Sequence, residues 1–222
     1  MKLSIIVPAL DEAAGIEDCL ERMQGPRARG HEVVVVDGGS RDATPALARP
    51  LADRVLVSSR GRGEQMNAGA AIAGGDGLLF VHADTLLPEN AERAVTAALA
   101  VRPWGRFDVR LAGRHPMLPV VAQMMNLRSR LSGIATGDQA IFVRRADFEA
   151  LGGYAAIPLM EDIELSRRLR QLAWPACLRD RVETSGRRWE SRGVLRTVAL
   201  MWRLRLAYRL GADPARLADR YR

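Results

Sequence analysis

The fold is decided by the stretch Val33-Val34-Val35-Val36-Asp37-Gly38-Gly39-Ser40, in which four β-branched residues end at a carboxylate and two glycines. A run of valines without polar alternation is typical of a strand that is buried on both faces, as in a parallel sheet covered by helices. Three further runs have the same apolar character: Leu3–Val7, Val55–Val57 and Leu78–Val81. These four segments predict the centre of a parallel sheet.

Segments of helical composition lie between and after these strands. They are Ala13–Met23, Thr44–Ala52, Glu64–Ala73 and Glu89–Ala100. Strands that alternate with helices predict right-handed crossovers and a doubly wound α/β sheet. Because such sheets bind ligands at the carboxyl ends of their strands, we expect the functional residues directly after each strand.

The second half of the chain mixes the two kinds of element. We predict a half-exposed strand over Phe107–Leu111, a helix over Met117–Leu131, a strand over Ile141–Val143, a helix over Met160–Leu172, a turn at 186–189 and two C-terminal helices. No linker is evident, so residues 1–222 are predicted to form one domain. Residues 1–100 and 101–190 would be its two halves, and residues 191–222 would be C-terminal helices.

The net charge of +7 comes almost wholly from arginine, because Lys2 is the only lysine. Arginine suits anionic ligands, although a GC-rich genome would give the same bias. The arginines are dispersed and not interleaved with aromatic residues, so we expect no nucleic-acid binding. Two isolated cysteines, Cys19 and Cys177, and the lack of a long apolar run predict a cytoplasmic protein that at most touches the inner face of a membrane.

Asp37 and the loop that starts at Arg60 have two interpretations each. Asp37 is placed to accept hydrogen bonds from a base or ribose hydroxyl, or it forms an Asx-turn before the next helix. Arg60-Gly61-Arg62-Gly63 precedes a helix, so its arginines and the free N–H groups of the helix would suit an anion. An ordinary surface turn is the alternative.

Two acidic motifs complete the candidate chemistry. His82-Ala83-Asp84 directly follows a strand and could hold a divalent cation that also binds a diphosphate. A helix cap, or a buried hydrogen bond of His82, is the alternative. Glu161-Asp162 begins a helix, where carboxylates favour the macrodipole or one of them acts as a general base. Helical periodicity does not choose between the two.

In this order, the motifs resemble family 2 glycosyltransferases. The matching segments are Ser4–Pro8 with Glu12, Val36–Ser40, Gly63–Gly69, His82–Asp84, Gly137–Gln139 and Glu161–Asp162. Within that family the chain is similar to a small bacterial subgroup labelled arsenosugar-biosynthesis glycosyltransferases. This similarity depends on Gln65–Ala70, Arg128–Arg145 and Ser185–Glu190.

The resemblance implies a GT-A fold, a nucleotide-diphosphate sugar donor, a Mg²⁺ or Mn²⁺ ion and inversion at the anomeric carbon. It implies that Pro8, Glu12 and Asp37 contact the nucleoside and that Arg60 or Arg62 lies near the diphosphate. The implied metal ligand is Asp84, beside His82, which replaces the usual first aspartate.

The resemblance also implies that residues 1–100 bind the nucleotide and that residues 101–190 bind the acceptor. Asp162 would be the catalytic base, and the residues around the acceptor would be Gly137, Asp138, Glu161, Arg188 and Trp189. Ser185 stands where processive members have glutamine. A small-molecule or lipid-linked acceptor is expected.

Two functions other than glycosyl transfer, and two roles for the C-terminal helix, are also compatible with the sequence. A sugar-phosphate nucleotidyltransferase would be expected to have a glycine-rich, basic loop after the first strand, where this chain has Pro8 and Glu12. A protein of the same fold could instead bind a nucleotide or a membrane without turnover. The arginine- and leucine-rich helix near 193–210 would rest on an anionic membrane, or pack on the domain or on a second copy in a homodimer.

Overall fold

The computed structural model describes residues 1–221, which contain one eight-stranded sheet. Its strands are β1 Leu3–Ala9, β2 Glu32–Asp37, β3 Arg54–Val57, β4 Gly77–Phe80, β5 Thr85–Leu86, β6 Trp104–Ala112, β7 Phe142–Arg144 and β8 Ala176–Ser185. All of the strands predicted from sequence are present.

Helices cover the sheet and extend past its last strand. They are α1 Ile16–Glu21, α2 Gln24–Ala28, α3 Thr44–Ala48, α4 Arg62–Ile72, α5 Ala91–Val101, α6 Leu118–Ser132, α7 Arg145–Ala150, α8 Glu161–Leu172, α9 Arg187–Arg192, α10 Val194–Arg209 and α11 Pro214–Tyr221. A single 3₁₀ turn spans Gly137–Gln139. Among residues 1–221, no helix has the length and apolar character that a membrane span requires.

The strand order is β3-β2-β1-β4-β7-β6-β8-β5. Strands β3, β2, β1 and β4 are parallel to one another, and β6 is parallel to β8. Only β7 and β5 run antiparallel to their neighbours in this described sheet. The predicted α/β class with a mostly parallel sheet is therefore confirmed.

The centre of the sheet is buried on both faces, as the unbroken valine run predicted. Ile5 and Val7 of β1 pack on one face in a cluster that includes α1 and α5, whereas Ile6 packs on the other face with Met66 of α4. The prediction of a buried strand at Val55–Val57 was wrong in one respect. Strand β3 is the outermost strand, and Val57 is 70% exposed because no further strand or helix covers it.

Several predicted boundaries differ from the structure for identifiable reasons. The helix predicted over Ala13–Met23 starts at Ile16, after a turn in which Glu12 O accepts from Gly15 N, and a separate α2 follows it. The helix predicted over Thr44–Ala52 ends at Ala48; Arg49 still has helical dihedrals, and Pro50, which has no N–H to donate, does not continue the helix. The predicted turn at 186–189 is mostly the first part of α9.

Strand β8 and helix α7 were not predicted at all. Strand β8 contains a polar, exposed run near Arg179–Arg181, so it lacks the apolar pattern of a buried strand. It forms because β6 supplies a long parallel partner, from Gly105 opposite Ala176 to Ala112 opposite Ser185.

A buried glutamine holds the ends of the two central strands. Gln65 Nε2 donates to Ala9 O at 2.9 Å and to Val36 O at 2.8 Å, where β1 and β2 end. The amide also packs against Gly38, where an added Cβ would lie 3.1 Å from it. Helix α4 thereby fixes the position of the loops that follow both strands.

We predict that Gln65→Met lowers the free energy of unfolding by about 2 kcal/mol or more, because two buried carbonyls lose their donor. Urea denaturation measures this change. Gln123→Met is the matched control on the exposed face of α6 and is expected to have little effect. Equal stability of the two variants would contradict the bridging role of Gln65.

Candidate active site

The predicted nucleoside residues lie at the carboxyl ends of β1 and β2. Pro8 lies inside β1, not after it as predicted, and is paired with Val36. The β1–β4 pairing ends two residues before Pro8, at Ile6 and Phe80, so the N–H that proline lacks is not needed for a hydrogen bond to β4. Pro8 therefore fixes the last part of the strand that leads to Glu12.

Asp37 forms the Asx-turn that was one of its two interpretations. Its Oδ2 accepts from the backbone N–H groups of Gly39 and Ser40, each at 3.0 Å, and Ser40 Oγ donates to its Oδ1. The side chain is almost wholly buried. Contact of Asp37 with a nucleoside stays a prediction.

The loop after β1 is bonded to the loop after β2, which fixes the position of Glu12. Asp11 N donates to Ser40 Oγ at 2.9 Å, and Arg41 N donates to Asp11 Oδ1 at 2.7 Å. Glu12 N donates to Thr44 Oγ1 at 2.9 Å. The two loops therefore form one wall of a cleft.

Glu12 and Asp84 line the same cavity of about 250 Å³, together with Thr184 and Arg187. Burial raises the pKa of the Glu12 carboxyl, the negative charge of Asp84 raises it further, and Arg187 opposes both effects. Two carboxylates that repel each other in one cavity favour a bound cation.

Asp84 is held at the floor of this cavity by two threonines. Its Oδ1 accepts from Thr85 Oγ1 at 3.4 Å and from Thr184 Oγ1 at 3.5 Å, where β5 pairs with β8. No group of three histidine, cysteine or acidic side chains in residues 1–221 could enclose a metal ion. Asp84 fits an ion that takes its other ligands from a diphosphate and water, which is the usual arrangement for Mg²⁺ at phosphates.

His82, two residues before Asp84, contacts the turn Gly137–Gln139. A Cβ added to Gly137 would lie 2.4 Å from His82 Nε2, so the imidazole ring and the turn backbone are in direct contact. Burial lowers the pKa of His82, and the positive charge of Arg62 lowers it further, whereas Asp84 raises it. Because the lowering effects on the pKa of His82 are the stronger ones, the neutral imidazole is favoured.

The structure separates the two carboxylates that helical periodicity left equivalent. Glu161 is buried and its Oε1 pairs with Arg62 Nε at 2.9 Å. Burial raises the pKa of Glu161, although Arg62 acts to lower it. Asp162 is only half-buried, and its Oδ2 accepts from Gly137 N at 2.9 Å. Asp162 is thus the carboxylate that meets the turn carrying Asp138.

The remaining predicted residues, on the loop before α4 and on α9, differ in their surroundings. Arg62 forms a salt bridge with Glu161, and Arg60 is exposed in the loop before α4. The Arg188 guanidinium lies 4.0 Å from the centre of the Tyr221 ring, and Trp189 packs against the core cluster of β6 and α6. Arg188 and Trp189 are therefore partly covered by the chain itself.

Sequence reasoning missed several residues of this region, among them Gln65, Arg128 and Tyr221. Burial raises the pKa of Tyr221, while Arg188 and Arg62 lower it, so α11 reaches the same group of charges. Gln65 was part of a motif quoted for the resemblance, but nothing in the sequence assigned it a role. The contacts of Arg128 and Tyr221 are long-range and have no local sequence signal.

The fold is that of GT-A glycosyltransferases of known structure. A mannosyltransferase from Pyrobaculum calidifontis in complex with GDP-Man and Mn²⁺ superposes with a TM-score of 0.68, at 22% identity over 96% of this chain and 66% of that one. S. aureus TarS in complex with UDP-GlcNAc gives a TM-score of 0.65, at 21% identity over 83% and 58%.

Residues 4–147 match the model of glycosyl transferase family 2, and the chain belongs to that family. The PGL/p-HBAD biosynthesis glycosyltransferase of Mycobacterium tuberculosis is 32% identical over 171 residues, 68% of this chain. The chain spans only 62% of the length of that relative. A dolichyl-phosphate beta-glucosyltransferase of Drosophila melanogaster is 29% identical over 51% of this chain and 41% of its own.

The contact of His82 with Gly137 gives a test of the site geometry. We predict that Gly137→Ala lowers the free energy of unfolding by about 1–3 kcal/mol, because the added methyl group must displace the His82 ring. In a His82→Ala background the same substitution should cost much less. Chemical denaturation of the four proteins of this double-mutant cycle measures the coupling. An equal cost in both backgrounds would show that His82 does not contact the turn.

Proposed function

We propose that this chain transfers a sugar from a nucleotide-diphosphate donor to an acceptor hydroxyl, with inversion and with a Mg²⁺ or Mn²⁺ ion. The observation that supports this most strongly is the position of Asp162. Its carboxylate is bonded to the Gly137 turn, and that turn packs on His82, two residues from Asp84. The proposed base and the proposed metal ligand are therefore connected through the contact between Gly137 and His82.

In this proposal the two halves of the chain, 1–100 and 101–190, bind different substrates. Residues of 1–100, among them Pro8, Glu12 and Asp37, bind the nucleoside, and Arg60 and Arg62 add positive charge toward the diphosphate. Asp84, with His82 beside it, would hold the ion, which supplies electrostatic stabilisation of the leaving diphosphate. Residues of 101–190 bind the acceptor.

Asp162 is the proposed general base. Asp162 would take the proton of the acceptor hydroxyl while the acceptor oxygen attacks the anomeric carbon from the face opposite the diphosphate, which inverts the configuration. Arg62 neutralises Glu161, so the charge of Glu161 does not add fully to that of its neighbour.

The acceptor class is proposed from the relatives and from α10. One relative is a dolichyl-phosphate beta-glucosyltransferase, and another is a beta-monoglucosyldiacylglycerol synthase, so both names include a lipid. On α10, Leu195, Trp202 and Leu206 are exposed beside arginines. We propose a small-molecule or lipid-linked acceptor, reached in the cytoplasm or at the inner face of a membrane, and membership of the arsenosugar subgroup.

A donor screen tests the activity as a whole. UDP-, GDP- and dTDP-sugars are added with Mn²⁺ to the purified chain, and the melting temperature and the release of nucleoside diphosphate are measured. Binding with slow hydrolysis supports the transferase. Binding without any release, even with candidate acceptors, would favour the non-catalytic alternative.

Asp84→Ala is expected to abolish the Mn²⁺-dependent part of nucleoside-diphosphate binding and to leave the fold intact, because the carboxylate is the proposed protein ligand of the ion. His82→Ala should have a milder effect on binding. Titration calorimetry with UDP and GDP, with and without Mn²⁺, measures both variants. If a chelator leaves wild-type binding and transfer unchanged, the metal assignment is wrong.

Asp162→Asn is expected to lower kcat by roughly 10²-fold or more, the usual size of a general-base contribution. Donor dissociation constants should stay within a few-fold, because the base does not hold the donor. Glu161→Gln is the matched control, since it keeps a hydrogen bond to Arg62 and should retain turnover. The assignment fails if Glu161→Gln is the inactive variant and Asp162→Asn the active one.

A further inference from the structure

Helix α6 contains a cation that the function described so far does not use. The Nε and Nη2 atoms of Arg128 are inaccessible to solvent and have no hydrogen-bond partner in the described chain, 1–221. The neighbouring arginines differ, because Arg106 and Arg130 both pair with Asp108. A guanidinium with two enclosed nitrogen atoms that make no hydrogen bond is costly, so its presence requires an explanation.

Helix α6 is hydrogen-bonded to its neighbours close to Arg128. Two residues earlier, Asn126 Oδ1 accepts from Val109 N at 2.8 Å, and its Nδ2 donates to Val109 O at 3.0 Å. Gln139, at the end of the turn that contains Gly137 and Asp138, also contacts Asn126 Oδ1, at 3.4 Å. Arg128 therefore lies in a segment of α6 that is hydrogen-bonded to β6 and to the turn Gly137–Gln139.

The charges around Arg128 belong to the acceptor side of the cleft. Burial lowers the pKa of Arg128 to about 10, and Arg205 of α10 contributes to the lowering. Asp138 and Asp162 act in the opposite direction. Arg128 therefore remains charged at neutral pH, with a second arginine nearby and without a hydrogen bond to either aspartate.

We propose that Arg128, together with Arg205, binds a phosphate group of the acceptor next to Asp162. Two guanidinium groups match the double negative charge and the oxygen geometry of a phosphate monoester. The acceptor would place its phosphate here and its reacting hydroxyl at Asp162. This inference rests on the proposed transferase function, because it names the class of acceptor.

The donor diphosphate is the other phosphate that could reach an arginine. The donor is expected at the cavity of Glu12 and Asp84, which Arg128 does not line. The acidic groups that act most strongly on Arg128 are Asp138 and Asp162, which lie on the acceptor side. Competition distinguishes the two sources of phosphate. A nucleoside diphosphate displaces inorganic phosphate from Arg128 if the site belongs to the donor, and does not displace it if the site belongs to the acceptor.

Calorimetric titration with inorganic phosphate tests the site, in the presence of Mg²⁺ and saturating UDP or, separately, GDP. We expect phosphate to bind wild type under both conditions, and Arg128→Gln and Arg205→Gln to weaken it by about tenfold or more. Arg203→Gln, on the exposed face of α10, is the matched control and should bind like wild type. Absence of phosphate binding to wild type, or unchanged binding by Arg128→Gln, would overturn the proposal. Displacement of phosphate by a nucleoside diphosphate would do so as well, because it assigns Arg128 to the donor.

Thermal melting of Arg128→Met separates a binding role from a structural one. Without phosphate, this variant should melt at or above the wild-type temperature, since an unpaired buried charge has been removed. Phosphate should then raise the melting temperature of wild type only. A clear loss of stability in Arg128→Met would show that Arg128 is structural. If phosphate binds as expected but no donor is bound or hydrolysed, the transferase proposal fails while the phosphate site stands.

Discussion

The antiparallel direction of β7 is the constraint on which the arrangement of the site depends. Strand β7 pairs with β4 so that Phe142 lies opposite Leu79, near the carboxyl end of β4. The turn that precedes β7 therefore lies at the edge where β4 ends, and Phe80 N donates to Ile141 O there. A parallel strand at this place would put Gly137 at the opposite edge, away from His82.

Opposite charges are distributed over this edge in a way that limits the cost of burying them. Glu161 is enclosed, but Arg62 from another helix pairs with it. Asp162 and Asp37 accept backbone N–H groups, which stabilise a carboxylate without adding a positive charge. Glu12 and Asp84 have no such full compensation, because each faces the other across a cavity. The uncompensated charge is thus concentrated where a cation and a diphosphate are proposed.

The sequence predicted those parts of the molecule whose local pattern and environment agree. Strands β1, β2 and β4 are buried on both faces, so their apolar runs were sufficient to locate them. Strand β8 was missed because its polar residues face outward, and only its pairing with β6 makes it a strand.

The sequence predicted many of the residues of the candidate site but not the role of each one. Asp37 could not be assigned from sequence because an Asx-turn and a ligand contact require the same carboxylate. Glu161 and Asp162 could not be told apart because Arg62 and Gly137, which distinguish them, are distant in the chain. Arg128 looked like any helical arginine, since the absence of a partner is a property of the packed structure.

The position of β3 has a consequence for the behaviour of the protein at high concentration. Both outermost strands of the described sheet are short, four residues in β3 and two in β5, so few unpaired backbone groups face outward. Arg54 of β3 is exposed, and its guanidinium donates to Ile72 O at 2.8 Å and lies 3.6 Å from Glu32. A short edge with a fixed charge is a poor template for a strand of another molecule, and this protects an otherwise very apolar sheet from aggregation by edge-to-edge pairing.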